Sequence, residues 1–441
     1  MNEPLSADSC DYYTMNPRQF GARPAFRYDE RMDDPKKLHP LPAQPDPRRW
    51  GYFVLGMLAA VAMMLLGAVS MRAYDAWLGA GASAALLHPD TTQSIDQNLL
   101  EEAWTIIRED FYGDFPSQKA CTYGAIRGSL EALNDPYTYF IEPVSANRER
   151  EHLQGKFGGI GAYLTLNEQG QIALSPMAGR PADKAGVRTG DILLNIDGRA
   201  LNTPADLDAV TNKLRGPVGS KVAITVRRDD KTLAFTIIRA EIELPSVTWH
   251  VPEDAPDVGY IHIDHFSGLT DDELAMALND LTQQQALQGL IIDLRGNPGG
   301  LVDAAVAAAD LFLDGGPVLR EKHVDGSEKV YKASHGTTVP AQTRVMVLVD
   351  GNSASAAEIL AGALQDRQRA TLIGEKTYGK GSIQRIHQLS DGSAVHVTFA
   401  KWFTPNNRAI DGAGLEPDVA VARGENEDTY VKQALALLRG N

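Results

Sequence analysis

The chain is poor in the residues that most often announce a function. Only two of its 441 residues are cysteine, Cys10 and Cys121, so it has no disulfide framework and no cysteine pair for a metal. It has no H-E-x-x-H pattern to set two histidines around zinc. A G-x-S-x-G elbow is missing too, because the nearest serine turn, "GNSAS", ends in Ser355. Positive charge is in deficit, 42 Lys and Arg against 57 Asp and Glu for a net charge of -15. That balance argues against a nucleic-acid partner and reads as a solvated acidic surface. No metal and no cofactor is expected.

What is present divides the chain by composition, and its length suffices for two or three domains with proper cores. Residues 1–49 are rich in Pro, Asp and Arg and poor in aliphatic side chains, which reads as a disordered tail. Next, "WGYFVLGMLAAVAMMLLGAVSM" runs uncharged over 50–71, long enough to cross a bilayer as a helix. Lys36, Lys37, Arg48 and Arg49 precede it and only Arg72 closely follows. The positive-inside bias therefore predicts a cytoplasmic tail and a single-pass signal anchor in the cell inner membrane, with the rest on the periplasmic or extracytoplasmic side. A cleaved signal peptide and a buried core helix are the rival readings. In the anchored topology the two cysteines face opposite compartments and cannot pair.

Beyond the span, 92–152 reads as a helical region. Ile95, Leu99, Ala103, Trp104, Ile107 and Phe111 fall at helical spacing, with Ser94 and Gln97 as a capping box. A second helix is predicted over Gln118–Leu133, ending at the turn "NDP", and the region is expected to pack on the domains C-terminal to it. Residues 153–240 change to short apolar runs with glycine turns, a small β-rich domain. From 241 to 423 strands alternate with helices, as in "GLIIDL", "RGNPGG" and "LVDAAVAAADLFL", which indicates an α/β layer. A closing helix in 424–441 carries Tyr430, Val431, Ala434, Leu435 and Leu438 on one face, with Asn426 as candidate cap and Gly440 as stop.

Two turns in the third section carry candidate chemistry. "GEKTYGKGSIQ" nearly spells a phosphate-binding loop around Lys380, but Gly381 stands where Ser or Thr belongs, and the segment after it reads as a hairpin about "SDGS". Ser353 and Ser355 sit between the strand "VMVLVD" and the helix "AAEILAGALQD". A serine there has helix N–H donors beside it for a developing oxyanion, or it is simply a helix cap. Its base is open at this level: His262, His265, His387 and His396 are available, and so is Lys380 if burial lowers its pKa. An exposed turn lysine is the plain alternative.

Four motifs in order, "GLIIDLRGNPGG", "VLVDGNSASAAEILAGALQD", "GEKTYGKGSIQ" and "TPNNRAIDGAGLEPDV", with "LNDPYTYF" upstream, resemble the C-terminal processing peptidases, or tail-specific proteases. The run "AGVRTGDILLNIDG" resembles a PDZ domain, with "FGGIG" (Phe157, Gly158, Gly159, Ile160, Gly161) at its peptide-carboxylate loop. The resemblance implies a crotonase-like α/β protease core completed by a β-rich section, with an inserted PDZ-like domain. It also implies Ser355 as nucleophile, Lys380 as general base, Gln384 orienting the lysine, and an oxyanion site from Ala356 and Gly299 or Gly300.

Consecutive N–H groups of the "GGIG" run would form a nest for a substrate's terminal carboxylate. Expected partners are proteins with unstructured C-terminal tails, with room for an adaptor or activator and a homo-oligomer. The departures from the family pattern are Ala357, where many relatives have a third serine, and "TPNN" for "TPSG". A silent PDZ-type binding scaffold and a Ser/His hydrolase are the competing functions.

Overall fold

The protein is described here by a computed structural model covering residues 95–284, 287–422 and 428–440. The expected tail and membrane span lie outside the described residues. Among those described, no helix is long and apolar enough to cross a membrane.

Helix α1 (Gln97–Asp110) is capped by Asp96, which accepts from the Asn98 and Leu99 N–H groups. The start signal is thus Asp96, and the predicted Ser94 cap is corrected: a carboxylate one residue before the helix serves the first-turn donors directly. No residue of α1 is buried among the described residues, so within them this helix does not pack on the domains C-terminal to it as expected. Helix α2 (Gln118–Glu131) does pack. Tyr123 is buried against Phe140, ring centroids 4.7 Å apart, and its hydroxyl donates to Asp391. The chain continues through strand β1 (Tyr139–Ile141) and helix α3 (Pro143–Gln154), which ends on the left-handed Gly155.

The β-rich domain runs β2 (Lys156–Gly159), β3 (Ala162–Leu166), β4 (Ile172–Pro176), α4 (Pro181–Lys184), β5 (Asp191–Ile196), β6 (Arg199–Ala200), α5 (Leu207–Leu214), β7 (Lys221–Arg228), β8 (Lys231–Ile238) and β9 (Ala240–Glu243). Its sheet has the order β3-β4-β5-β7-β8, with β6 on β5, and β2 pairs with β9. Alternation along β7 sends Val222, Ile224 and Val226 inward to a core shared with Ile172, Leu174, Leu193, Ile196 and Ile237.

The third section runs β10 (Val247–His250), β11 (Val258–Ile263), α6 (Thr270–Gln284), β12 (Gly289–Asp293), α7 (Val302–Asp310), β13 (Gly316–His323), β14 (Glu328–Ala333), β15 (Arg344–Val349), α8 (Ala356–Asp366), β16 (Thr371–Gly374), β17 (Ser382–Gln388), β18 (Ala394–Phe403), β19 (Val419–Ala420) and α9 (Thr429–Leu438). One sheet has the order β10-β11-β12-β15-β16-β19, parallel from β11 onward. Its central strands are buried on both faces, and this explains their unbroken apolar runs. Leu290, Ile292, Val345, Val347 and Val349 face α6, α7 and α8, while Ile291, Met346 and Leu348 face Tyr430, Ala434 and Leu435 of α9. Helix α9 is capped by Asp428, not by Asn426, which lies outside the described residues.

A second, antiparallel sheet has the order β1-β18-β13-β14, with β17 on β18. It closes over α8 and buries Trp402. In open parallel sheets ligands collect at the carboxyl ends of the strands. Here β12, β15 and β16 all end on that side, and each feeds one of the turns singled out above.

Candidate active site

Strand β15 delivers the serine turn. Ser353 is fully buried; its hydroxyl donates to the Leu294 carbonyl at 2.8 Å and accepts the Asp350 N–H at 2.9 Å. That hydroxyl is committed to holding the turn. Ser355 is the N-cap residue of α8 and stays partly exposed, with φ 53° and ψ -113°. A non-glycine residue held at positive φ stores strain that the surroundings must over-determine.

Those surroundings are visible. Ala354 N–H donates to the Asn297 carbonyl at 2.9 Å, and buried Asn297 in turn holds the Ile263 carbonyl and the Gly299 N–H, each at 2.8 Å. Gly299 presses on the serine so closely that a Cβ there would lie 2.7 Å from Ser355 Cβ, and its φ is 104°. Only glycine fits.

The two expected oxyanion glycines are separated by their partners. Gly299 N–H is already given to Asn297 Oδ1. Among the described residues, Gly300 N–H and Ala356 N–H donate to no protein acceptor. Gly300 is fixed beside Phe266, whose N–H binds the Gly299 carbonyl and whose carbonyl accepts from Leu301. Ala356 N–H stands at the N-terminus of α8 directly after Ser355, where the helix dipole favours negative charge, and Gly300 follows Gly299, the glycine in contact with the serine.

Strand β16 delivers Lys380. Gly379 and Gly381 let the loop run against the backbone of Gly414 and Asp411, where Cβ atoms would approach to 2.8 and 2.5 Å. Lys380 Nζ donates to Gln384 Oε1 at 2.8 Å. Burial pushes the amine below the ordinary lysine range, and the charge of Glu149 opposes the shift. No hydrogen bond links Ser355 Oγ to Lys380 Nζ among the described residues, and catalytic bonds often tighten only when substrate arrives.

Sequence reasoning missed the group that joins the two turns. Glu358, fully buried in the first turn of α8, accepts Ser355 N–H (2.8 Å) and Lys380 N–H (2.9 Å) on Oε2, and Gly379 N–H (2.8 Å) and Thr377 Oγ1 (2.5 Å) on Oε1. One carboxylate thus fixes both chain segments. The signal was present, since Ser355 and Glu358 have the S-x-x-E spacing of a capping box. Tyr137 was missed as well: its carbonyl accepts from Gln384 Nε2, and its ring centroid lies 5.3 Å from Lys380 Nζ. Nothing local to the lysine announces a partner so far upstream.

The remaining candidates fall away from the serine. His396 is buried with Nε2 2.9 Å from Glu149 and stacks on Tyr139; His265 stacks on His152; His262 lies 3.9 Å from Asp293; His387 is exposed. The phosphate-loop alternative fails because Lys380 leads into strand β17, not a helix whose N-terminus could meet a phosphate.

In the β-rich domain the expected carboxylate nest is altered. Phe157, Gly158 and Gly159 belong to β2 and pair with Ile242, Glu241 and Ala240. The Ile160 side chain is in the core, and Gly161 turns at φ 68°. The run is therefore ladder first and turn second. A cavity of about 730 Å³ borders Phe157, Gly158, Gly216, Val218 and Gly268 and reaches Leu301, immediately beyond Gly300.

Known proteins share this organisation. Residues 257–421 match peptidase family S41 and residues 158–238 match the PDZ domain. A carboxyl-terminal-processing protease of Synechocystis sp. is 36% identical over 333 residues, spanning 74% of this chain and 77% of the relative. A carboxy-terminal-processing protease of Bartonella bacilliformis is 34% identical over 315 residues, 70% of this chain and 71% of the relative. Carboxy-terminal processing protease CtpB of Bacillus subtilis is 33% identical over 383 residues, 81% and 78%. With family models matching both regions and relatives 33–36% identical over more than two thirds of both chains, the chain belongs to peptidase family S41, as a serine-type C-terminal processing peptidase with a PDZ domain.

Proposed function

We propose that the protein cleaves other proteins near their C-termini with Ser355 as nucleophile, Lys380 as general base and Gln384 orienting the base. Ser355 Oγ adds to the scissile carbonyl carbon as its proton passes to Lys380 Nζ. The carbonyl electron pair moves onto oxygen, held by Ala356 N–H and Gly300 N–H. Collapse breaks the C–N bond, Lys380 returns the proton to the leaving amine, and an ester remains on Ser355. Water then attacks the ester, giving its proton to Lys380; the acyl C–O bond breaks, Lys380 returns that proton to Ser355 Oγ, and the product leaves with a new C-terminal carboxyl group.

The observation that carries this reading is the shared suspension of Ser355 and Lys380 from Glu358, together with the desolvated amine of Lys380. A neutral amine accepts a proton; a phosphate clamp would need the charged form. The PDZ domain captures the substrate tail by adding it as a strand at the Ile160–Gly161 turn, next to the cavity that borders Phe157 and Gly158. An N-terminal helix over 50–71 anchors the enzyme, with the catalytic part outside the cytoplasm.

The test is cleavage, followed by mass, of an unfolded protein with an apolar C-terminus by the full-length chain and its Ser355→Ala and Lys380→Ala variants. Cleavage by the unmodified chain alone, slowed when the substrate's C-terminus is amidated, is the expected result. Equal cleavage by either variant overturns the dyad, and indifference to amidation overturns tail capture. A binding scaffold would cut in no version, with or without added partner proteins.

A further inference from the structure

The turn between α2 and β1, residues 134–138, is far from the serine and lysine motifs in sequence, yet it touches the lysine. Asp135 holds it in shape, accepting Tyr137 N–H at 3.1 Å and Thr138 Oγ1 at 2.6 Å. Thr138 Oγ1 accepts the Thr398 N–H at 3.1 Å, and Thr398 is the residue opposite Gln384 in the β17–β18 ladder. The turn is therefore bolted to the strand pair that carries Gln384.

The consequence lies in which end of the Gln384 amide faces the lysine. A backbone carbonyl can only accept, so the end that meets the Tyr137 carbonyl is the NH₂, and Oε1 is left facing Lys380 Nζ. An oxygen facing the amine takes one N–H and leaves the lone pair of a neutral lysine free. The flipped amide would present NH₂ to the amine, and the lone pair would be consumed accepting from it. A base with an occupied lone pair cannot take a proton from serine. The half-buried Tyr137 ring, 5.3 Å from Nζ, adds a wall beside the amine. It excludes water, and its face attracts an ammonium.

We infer that Tyr137 is a positioning residue of the peptidase, whose carbonyl locks the Gln384 amide in the one orientation that leaves the Lys380 lone pair available and whose ring covers that amine. This rests on the Ser355/Lys380 reading. The charged and titratable groups around the amine are Glu149 on α3, Glu358 on α8, Tyr378 on the lysine loop, and the Lys401–Asp411 pair beside Gly381. Of these, Tyr378 hydrogen-bonds the Tyr137 side chain, and Tyr137→Phe, which removes the hydroxyl and keeps the ring, separates that bond from the ring's own effect.

The experiment compares the full-length chain with Tyr137→Ala, Tyr137→Leu and Tyr137→Phe, measuring kcat, KM and the pH profile of kcat/KM, with thermal melts to confirm folding. Misplacing a catalytic group by about 1 Å costs about a hundredfold. Tyr137→Ala is expected to lose about tenfold to a hundredfold in kcat with little change in KM. Its acid limb moves to higher pH, because a hydrated amine holds its proton more tightly. Tyr137→Leu keeps the amine covered but removes the ring's attraction for the charged form, so its limb moves to lower pH.

All three variants retain the backbone carbonyl and differ in the side chain alone, and Tyr137→Phe, which keeps the ring, restores most of the kcat. If Tyr137→Ala fails to fold, the downward limb in Tyr137→Leu decides. Identical limbs in all folded variants, or a loss carried by KM alone, overturn the inference. Cleavage surviving in Ser355→Ala would instead sink the dyad reading on which it stands.

Discussion

The two halves of the site are held by different means. Ser355 is placed by backbone: a positive φ, a glycine in contact, and Asn297 binding the next turn. Its supports lie in the turns that follow β12 and β15, which are adjacent strands of one sheet. Lys380 is placed by side chains from four segments, Gln384, Tyr137, Glu358 and Trp402, the last donating from Nε1 to the Lys380 carbonyl at 2.9 Å. Its loop passes from β16 in one sheet to β17 in the other. A backbone-built nucleophile has little freedom to be tuned. A base held by side chains has its proton affinity set by each neighbour in turn.

Glu358 is where that contrast can be broken. Replacing it with glutamine keeps the volume but puts an NH₂ among four donors, so at least one N–H faces another N–H. A buried donor left unmatched costs about 1–3 kcal/mol. Because Oε2 serves both Ser355 and Lys380, both halves relax together. Glu358→Gln is expected to lower kcat by about a hundredfold and to lower the melting temperature by several degrees. If steady-state kinetics give a kcat within threefold of the parent, the carboxylate is a cap and nothing more.

The same contrast explains what the sequence disclosed. Ser355, Gly299, Gly300 and Ala356 lie in contiguous motifs around buried strands, and short-range patterning reveals such places. Lys380 was legible only as one candidate base among several, and Gln384 came from the family resemblance alone, because spacing does not say which side chains meet across two sheets. Tyr137 and the Asp96 cap were not legible. The first acts through its carbonyl, which every residue possesses, and the second competes with the equally plausible Ser94. The parallel sheet was readable from its apolar runs. The placement of Gly158 and Gly159 in a ladder was not, because a glycine-rich strand and a glycine-rich loop look alike until the partner strand is known.

Electrostatic tuning of the base half gives a smaller effect. Glu149 accompanies Lys380 as a negative charge that favours the protonated amine, opposing desolvation. The rate rises as pH climbs through the lysine's pKa, since only the neutral amine accepts the serine proton. Removing the charge lowers that pKa further. Glu149→Gln, which keeps an oxygen acceptor for His396, is expected to shift the acid limb of kcat/KM to lower pH with at most a few-fold loss in kcat. A limb that stays put or moves upward would show that Glu149 is screened from the amine.

The smallest effect asks how far the base half reaches into the N-terminal helices. Tyr137 follows α2, which is anchored by Tyr123 on Asp391 and Phe140. Among the described residues helix α1 has no such anchor: Leu99 is 63% exposed and Ile107 41%, and no residue in it is buried. Substitutions at exposed positions change stability by within about 0.5 kcal/mol. The double variant Leu99→Gln, Ile107→Gln should therefore match the parent in melting temperature and in cleavage, measured at low protein concentration where no second copy assists. A fall in both would mean that the apolar stripe is covered in the working enzyme, and that the side-chain scaffold of Lys380 extends through α1 to whatever covers it. Unchanged values place its boundary at α2, where Tyr123 is buried.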